Sequence, residues 1–228
     1  MPEPQFFAIV CEGRTGSNLL VDLLGSHPQI ESAAELYHPV AGTFKNYPGI
    51  SHREFLDRHT YKTSLPIRGF KMPINWILEH PDIVREFRAD RYKIIRLDRA
   101  NKLDQFLSVQ LATLNSNWCS GSVYEQQRLK IDPWQLLLFL GARDALQWAS
   151  DLICGGLDSF RISYEQLLQV EHQNALLRFL GAEPKPLTTV KVRMRTKAVH
   201  EIIENYAELV DFFANTPYSV WFPDETKA

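Results

Sequence analysis

Apolar residues along this chain follow two alternating rhythms. Short unbroken runs of strand length, Phe6 to Cys11, Ile67 to Met72, Tyr92 to Leu97 and Phe160 to Tyr164, are separated by stretches with a helical period. Leu19, Leu20, Leu23 and Leu24 form the first such period, closed by Gly25, and Leu103, Phe106, Leu107, Gln110, Leu111 and Leu114 form the second. Trp134 to Ile153 predicts a long helix, and Ala175 to Leu180 a helix stopped by Gly181. Val199, Ile202, Ile203, Tyr206, Leu209, Val210 and Phe213 share one face of a single last helix. Alternating strands and helices predict an α/β fold with a parallel sheet.

Two stretches lack a period. His38 to Pro66 and Asn115 to Pro133 are rich in Gly, Pro, Ser, Asn and aromatic residues, and read as excursions over the sheet edge of the kind that shape substrate pockets. No repeat, low-complexity tract or linker divides the sequence, so residues 1–228 are expected to form one domain.

Composition narrows the function. With 45% hydrophobic and 23% charged residues the chain is in the ordinary globular range, and a formal net charge of −2 supplies no field for nucleic acid. A small phosphorylated ligand remains compatible, held by local basic groups. The N-terminal apolar run is too short for a signal peptide and lacks its basic start, and no stretch approaches a membrane span. Cys11, Cys119 and Cys154 are too few and scattered for a disulfide framework or a zinc site. The expected compartment is the cytoplasm; nothing in the pattern sets an oligomeric state.

The first strand runs into GRTGSNLL, Gly13 to Leu20. Two glycines allow a tight turn, and the helix starting near Ser17 aims its free N–H groups at the loop, which makes an anion site. The G-x4-G-K-[ST] pattern of ATPases and kinases is absent, because Gly13 and Gly16 stand only three apart and no lysine follows. Arg14 would supply the cation, a fork able to bridge two oxygens of a phosphate or sulfate. Ser17 would donate its hydroxyl and could also cap the helix. A plain glycine turn with a serine cap is the bland alternative.

A second strand-to-helix passage, YKIIRLDRANKLDQFLS, sets Arg99 just past the strand's carboxyl end and Ser108 along the next helix. Carboxyl ends of parallel strands share an edge, so Arg99 and the Gly13–Ser17 loop are expected to flank one crevice. The pairing of GRTGSNLL with IIRLDRANKLDQFLS resembles the sulfotransferases that use 3′-phosphoadenosine-5′-phosphosulfate (PAPS), particularly the bacterial carbohydrate group with nodulation-factor and trehalose sulfotransferases. FRISYEQLL and ENYAELVDFFANTPY extend the resemblance over nearly the whole chain. It implies a P-loop-NTPase-like three-layer fold, a central parallel sheet flanked by helices. It also implies that Arg14, Thr15, Gly16, Ser17 and Asn18 bind the 5′-phosphosulfate, and Arg99 and Ser108 the 3′-phosphate. Many relatives have a shorter step between those last two, which keeps Arg96 open as an alternative. The basic stretch Lys191, Arg193, Arg195 and Lys197 either closes over the 3′-phosphate or is a solvated edge.

Sulfuryl transfer needs in-line positioning, charge stabilisation and a base for the acceptor hydroxyl. The stretch ESAAELYHP follows the first helix and should end at the loop's edge of the sheet, which makes Glu35 the leading base and His38 the runner-up. Relatives of the trehalose type imply the glutamate. Lys71 in IRGFKMP, at another strand end, would stabilise the bridging oxygen as the leaving phosphate gains charge. Trp76, Trp118 and Tyr124 suit either the core or an acceptor sugar. Seven histidines show no H-E-x-x-H spacing, and no metal is expected. The resulting expectation is a sulfuryl transfer from PAPS to a hydroxyl of a carbohydrate, glycolipid or other small acceptor, releasing 3′-phosphoadenosine-5′-phosphate (PAP). A P-loop-type small-molecule kinase and a non-catalytic nucleotide-binding protein are the alternatives.

Overall fold

The computed structural model describes residues 4–37, 44–59, 64–118, 123, 125, 127–191, 195 and 197–222. His38, Tyr124 and Arg193 lie outside the described residues. The chain divides into two compact units, one made of 1–100 with 148–191 and the other of 101–147 with 192–228.

The first unit holds a five-stranded parallel sheet of β1 (Gln5–Cys11), β2 (Ile30–Glu35), β3 (Ile67–Pro73), β4 (Lys93–Asp98) and β5 (Ser159–Ser163), in the order β2-β3-β1-β4-β5. Its helices are α1 (Ser17–Gly25), α2 (His52–His59), α3 (Ile74–Glu79) and α4 (Ile83–Ala89), with α7 (Tyr164–Leu167) and α8 (Val170–Leu180) after β5. The expected α/β, P-loop-like architecture is the one observed. The strand order reverses at β1: the chain first builds β2 and β3 on one side, then β4 and β5 on the other, and the carboxyl end of β1 is therefore the switch point at which sheets of this kind bind ligands.

Alternation along β1 explains the layers. Phe7, Ile9 and Cys11 join Leu20, Leu23 and Leu24 of α1 and Leu176, Leu177 and Leu180 of α8 in one core, with Ile95, Leu97 and Ile162 from the neighbouring strands. Phe70, in register with Ala8, lies on the opposite face and meets Phe87 of α4 and Tyr92 at 6.3 and 6.2 Å between ring centroids. Each Leu so buried contributes roughly 2 kcal/mol of apolar transfer free energy.

Helix ends differ in detail from the pattern. Gly181 adopts φ 84° and closes α8 as expected, whereas Gly25 stays within α1, and Ser26 ends it with its hydroxyl donating to the Leu23 carbonyl at 2.7 Å. Inside the first excursion lie a 3-10 turn, Phe44–Asn46, and the amphipathic α2.

The second unit contains α5 (Lys102–Leu114), the part of α6 (Pro133–Cys154) up to Gln147, α9 (Val199–Ile202) and α10 (Tyr206–Phe213). The single last helix is corrected to these two. Ile203 turns extended, φ −89° and ψ 117°, and bridges Leu129, whose N–H donates to the Ile202 carbonyl at 2.7 Å and whose carbonyl accepts from Glu204 at 2.9 Å. The Asn205 side chain bonds both the N–H and the carbonyl of Ile131, at 2.9 and 2.8 Å. Strand-like pairing with a distant segment thus replaces one turn of helix, while the apolar face survives: Ile202, Ile203, Leu209 and Phe213 share a core with Leu103, Leu107 and Leu136.

Candidate active site

The loop between β1 and α1 is shaped by two left-handed residues, Arg14 at φ 63° and Gly16 at φ 87°. Left-handed turns of this type gather successive backbone N–H groups into an anion-binding concavity. Gly16 is the helix N-cap, so the expectation of a Ser17 cap is replaced: Ser17 is the first helical residue, and no side chain caps α1. A Cβ at Gly16 would come 2.5 Å from Cδ2 of Tyr164, so the turn requires glycine for space as well as for φ. The Thr15 hydroxyl donates to the Glu12 carbonyl at 2.8 Å and tightens the loop from inside.

Arg99 follows β4 at the same sheet edge. Its Nη1 donates to the Arg14 carbonyl at 3.3 Å, and its guanidinium lies 4.8 Å from the centroid of the Tyr164 ring, a cation–π contact that orients the fork. Glu165 accepts a hydrogen bond from the Ala100 N–H at 3.0 Å and holds the turn after β4. Tyr164 and Glu165 were not predicted as site residues; FRISYEQLL marks their segment, but their partners are far away in sequence.

On the other side of β1, Lys71 of β3 and Glu35 of β2 are register partners at the carboxyl edge, beyond a β-bulge that separates Ala33 from Glu35. Lys71 Nζ is 2.5 Å from Glu35 Oε1 and donates to Asn18 Oδ1 at 2.7 Å, with the lysine side chain 7% exposed and the glutamate 25%. A single buried ammonium therefore ties the second residue of α1 to the end of β2. Burial pushes the Cys11 thiol, beneath the loop, up to about 11, although the Lys71 ammonium and a hydrogen bond from Ser17 act in the opposite direction.

Other basic candidates are otherwise engaged. Arg96 pairs with Asp151, and burial followed by the neighbouring Arg161 guanidinium lowers its pKa from the ordinary arginine value. Arg195 is buried in the second unit, bonding Asp104 at 2.5 Å and the Lys197 carbonyl at 2.6 Å. Ser108 lies on α5 of that unit. Trp76 belongs to an aromatic cluster with Tyr37 and Phe44, at 6.1 and 6.2 Å, whereas Trp118 is 54% exposed.

A parallel sheet with a left-handed glycine turn between its central strand and the first helix defines a P-loop-like α/β protein. No family model matches the sequence. The chain is 28% identical to Nodulation protein H of Rhizobium meliloti (strain 1021), over 96% of this chain and 95% of that protein. It is 27% identical to Nodulation protein H of Rhizobium tropici, over 97% and 94%. The crystal structure of a sulfotransferase from Alicyclobacillus acidocaldarius shares the fold across 100% of this chain and 99% of its own, with a TM-score of 0.56 and 15% identity. The chain is thus similar over nearly its whole length to Nodulation protein H, and its fold is that of a sulfotransferase of known structure.

Proposed function

We propose that the protein transfers the sulfuryl group of PAPS to a hydroxyl of a carbohydrate or glycolipid acceptor. The observation that carries this reading is the convergence of the Arg14–Asn18 loop, Lys71, Glu35 and Arg99 on one edge of the sheet. Loop N–H groups and Arg14 would hold the phosphosulfate, and Arg99, steadied by Tyr164, the 3′-phosphate; the further role of Ser108 there rests on the sequence resemblance. As the acceptor oxygen forms its bond to sulfur, Glu35 would take the hydroxyl proton. The bond from sulfur to the bridging oxygen breaks at the same time, and Lys71 would offset the charge developing on departing PAP. Arg14, Lys71 and Arg99 supply the positive charge, so this reading requires no metal.

Among the described residues no helix is long and apolar enough to cross a membrane. Cys11 and Cys154 are buried free thiols, which favours a reducing compartment such as the cytoplasm.

Calorimetric titration with PAP, 5′-AMP and ATP in the absence of metal tests the proposal. PAP is expected to bind selectively to the wild type, and Arg99→Ala to lose that selectivity. Indifference to the 3′-phosphate, or tighter binding of ATP than of PAP, would overturn the reading in favour of a kinase. Selective PAP binding without sulfation of any acceptor hydroxyl in a PAPS-fed screen would support a binding protein instead.

A further inference from the structure

His52, His80 and Asp82 come together outside the residues of the phosphate loop, each offering one ligand atom, and those atoms all lie within 4.8 Å of one another. We propose that they form a binding site for a divalent transition-metal ion, with zinc as the ion to test. His52 opens α2, His80 ends α3 and Asp82 precedes α4, so the three are delivered by separate helix ends within the first unit.

Geometry and chemistry both suit such an ion. His52 Nε2 already stands 3.2 Å from Asp82 Oδ2. Ligand atoms of a tetrahedral zinc site, with bonds of about 2.0–2.2 Å, are separated by roughly 3.3–3.5 Å, so only modest side-chain rotation is needed. Asp82, half exposed, has the freedom for it. The imidazoles are oriented by aromatic rings: His80 packs on Trp76 at 4.2 Å and His52 stacks on Phe44 at 5.0 Å. Two imidazole nitrogens with one carboxylate favour zinc, copper or nickel over magnesium or calcium. Glu86, one turn along α4, adds negative charge acting on His52.

His52 is only 9% exposed, yet its Nδ1 is buried without a hydrogen-bond partner, as is Nε1 of the adjoining Trp76. Nδ1 lies on the far side of the ring from Nε2, so an ion held through Nε2 fixes Nδ1 as the protonated nitrogen, and the placement of Nε2, His80 and Asp82 carries the proposal. A bound ion would give the His52–Asp82 pair and the second imidazole a common partner. Three protein ligands would leave a fourth position toward solvent on the Asp82 side. Such an ion would clip the start of α2 to the link between α3 and α4, which the sequence separates widely.

The test uses the full chain, free of any affinity tag and stripped with a chelator. Calorimetry with zinc should show one equivalent bound, and cobalt should give visible ligand-field bands without thiolate charge-transfer absorption. Zinc should raise the melting temperature of the wild type. His80→Ala and Asp82→Asn, both at positions with solvent exposure and checked for native circular dichroism, should each weaken zinc binding by about 100-fold and abolish that shift. Absence of stoichiometric binding at tens of micromolar zinc, unchanged affinity in both variants, or a cobalt spectrum dominated by thiolate bands would overturn the proposal.

Discussion

Lys71 Nζ stands 2.5 Å from Glu35 Oε1, joining the carboxyl ends of two adjacent strands beside the glycine loop that follows β1. The same ammonium bonds Asn18, so a change at any of the three disturbs the position of the others. A charge with low exposure depends on its partner, and removing one member of a buried pair is more costly than replacing both.

Two consequences follow for Glu35 and Lys71. Glu35→Gln should lower sulfuryl transfer by about 100-fold or more while PAP affinity stays within a few-fold of wild type. Lys71→Met should reduce the transfer rate more than substrate affinity. In urea denaturation each single variant should lose about 2–4 kcal/mol, and the Lys71→Met/Glu35→Gln double variant less than the sum. Additive losses would mean that the pair has no energetic coupling, and near-normal turnover in Glu35→Gln would remove it as the base.

Gly16 is constrained twice, by its left-handed φ and by the Tyr164 ring that a Cβ would meet at 2.5 Å. Gly16→Ala should therefore cost about 1–3 kcal/mol and displace Tyr164 from beneath Arg99. Urea midpoints and PAP titration check this together: the variant should be less stable and bind PAP more weakly. Wild-type stability and affinity in the variant would show that the loop does not depend on this close approach.

Cys11 links stability to alkaline pH. Its thiol titrates near 11 in the folded protein against an ordinary value of 9.0, because burial disfavours the thiolate. A pKa raised by folding means that the folded state retains the proton more tightly. The stabilisation is complete below about pH 9 and is lost as pH climbs from there through about 11. Over that window wild type should lose up to about 3 kcal/mol more than Cys11→Ala, measured by urea unfolding at each pH. Native protein should also leave Cys11 unalkylated by iodoacetamide at pH 8; rapid modification there would contradict the burial that raises the pKa.

Much of the frame is determined by local sequence. The apolar run Phe6 to Cys11 followed by GRTGSNLL is enough to specify a buried strand, a glycine turn and a helix, because each rests on neighbouring side chains and on the φ that Gly16 alone adopts easily. The strand-end positions of Glu35 and Lys71, and of Arg99 just past its strand, are legible for the same reason, and parallel strands bring such ends to one edge. Only the tertiary structure decided what those ends do to one another: that Lys71 bridges Glu35 and Asn18, that Tyr164 fills the space over Gly16 and carries Arg99, and that His52 meets His80 and Asp82. It also broke the last helix at Ile203, where pairing with Leu129 outweighs a continuous apolar face. Contacts of this kind join residues tens of positions apart, and their energies depend on packing and desolvation that no local period encodes.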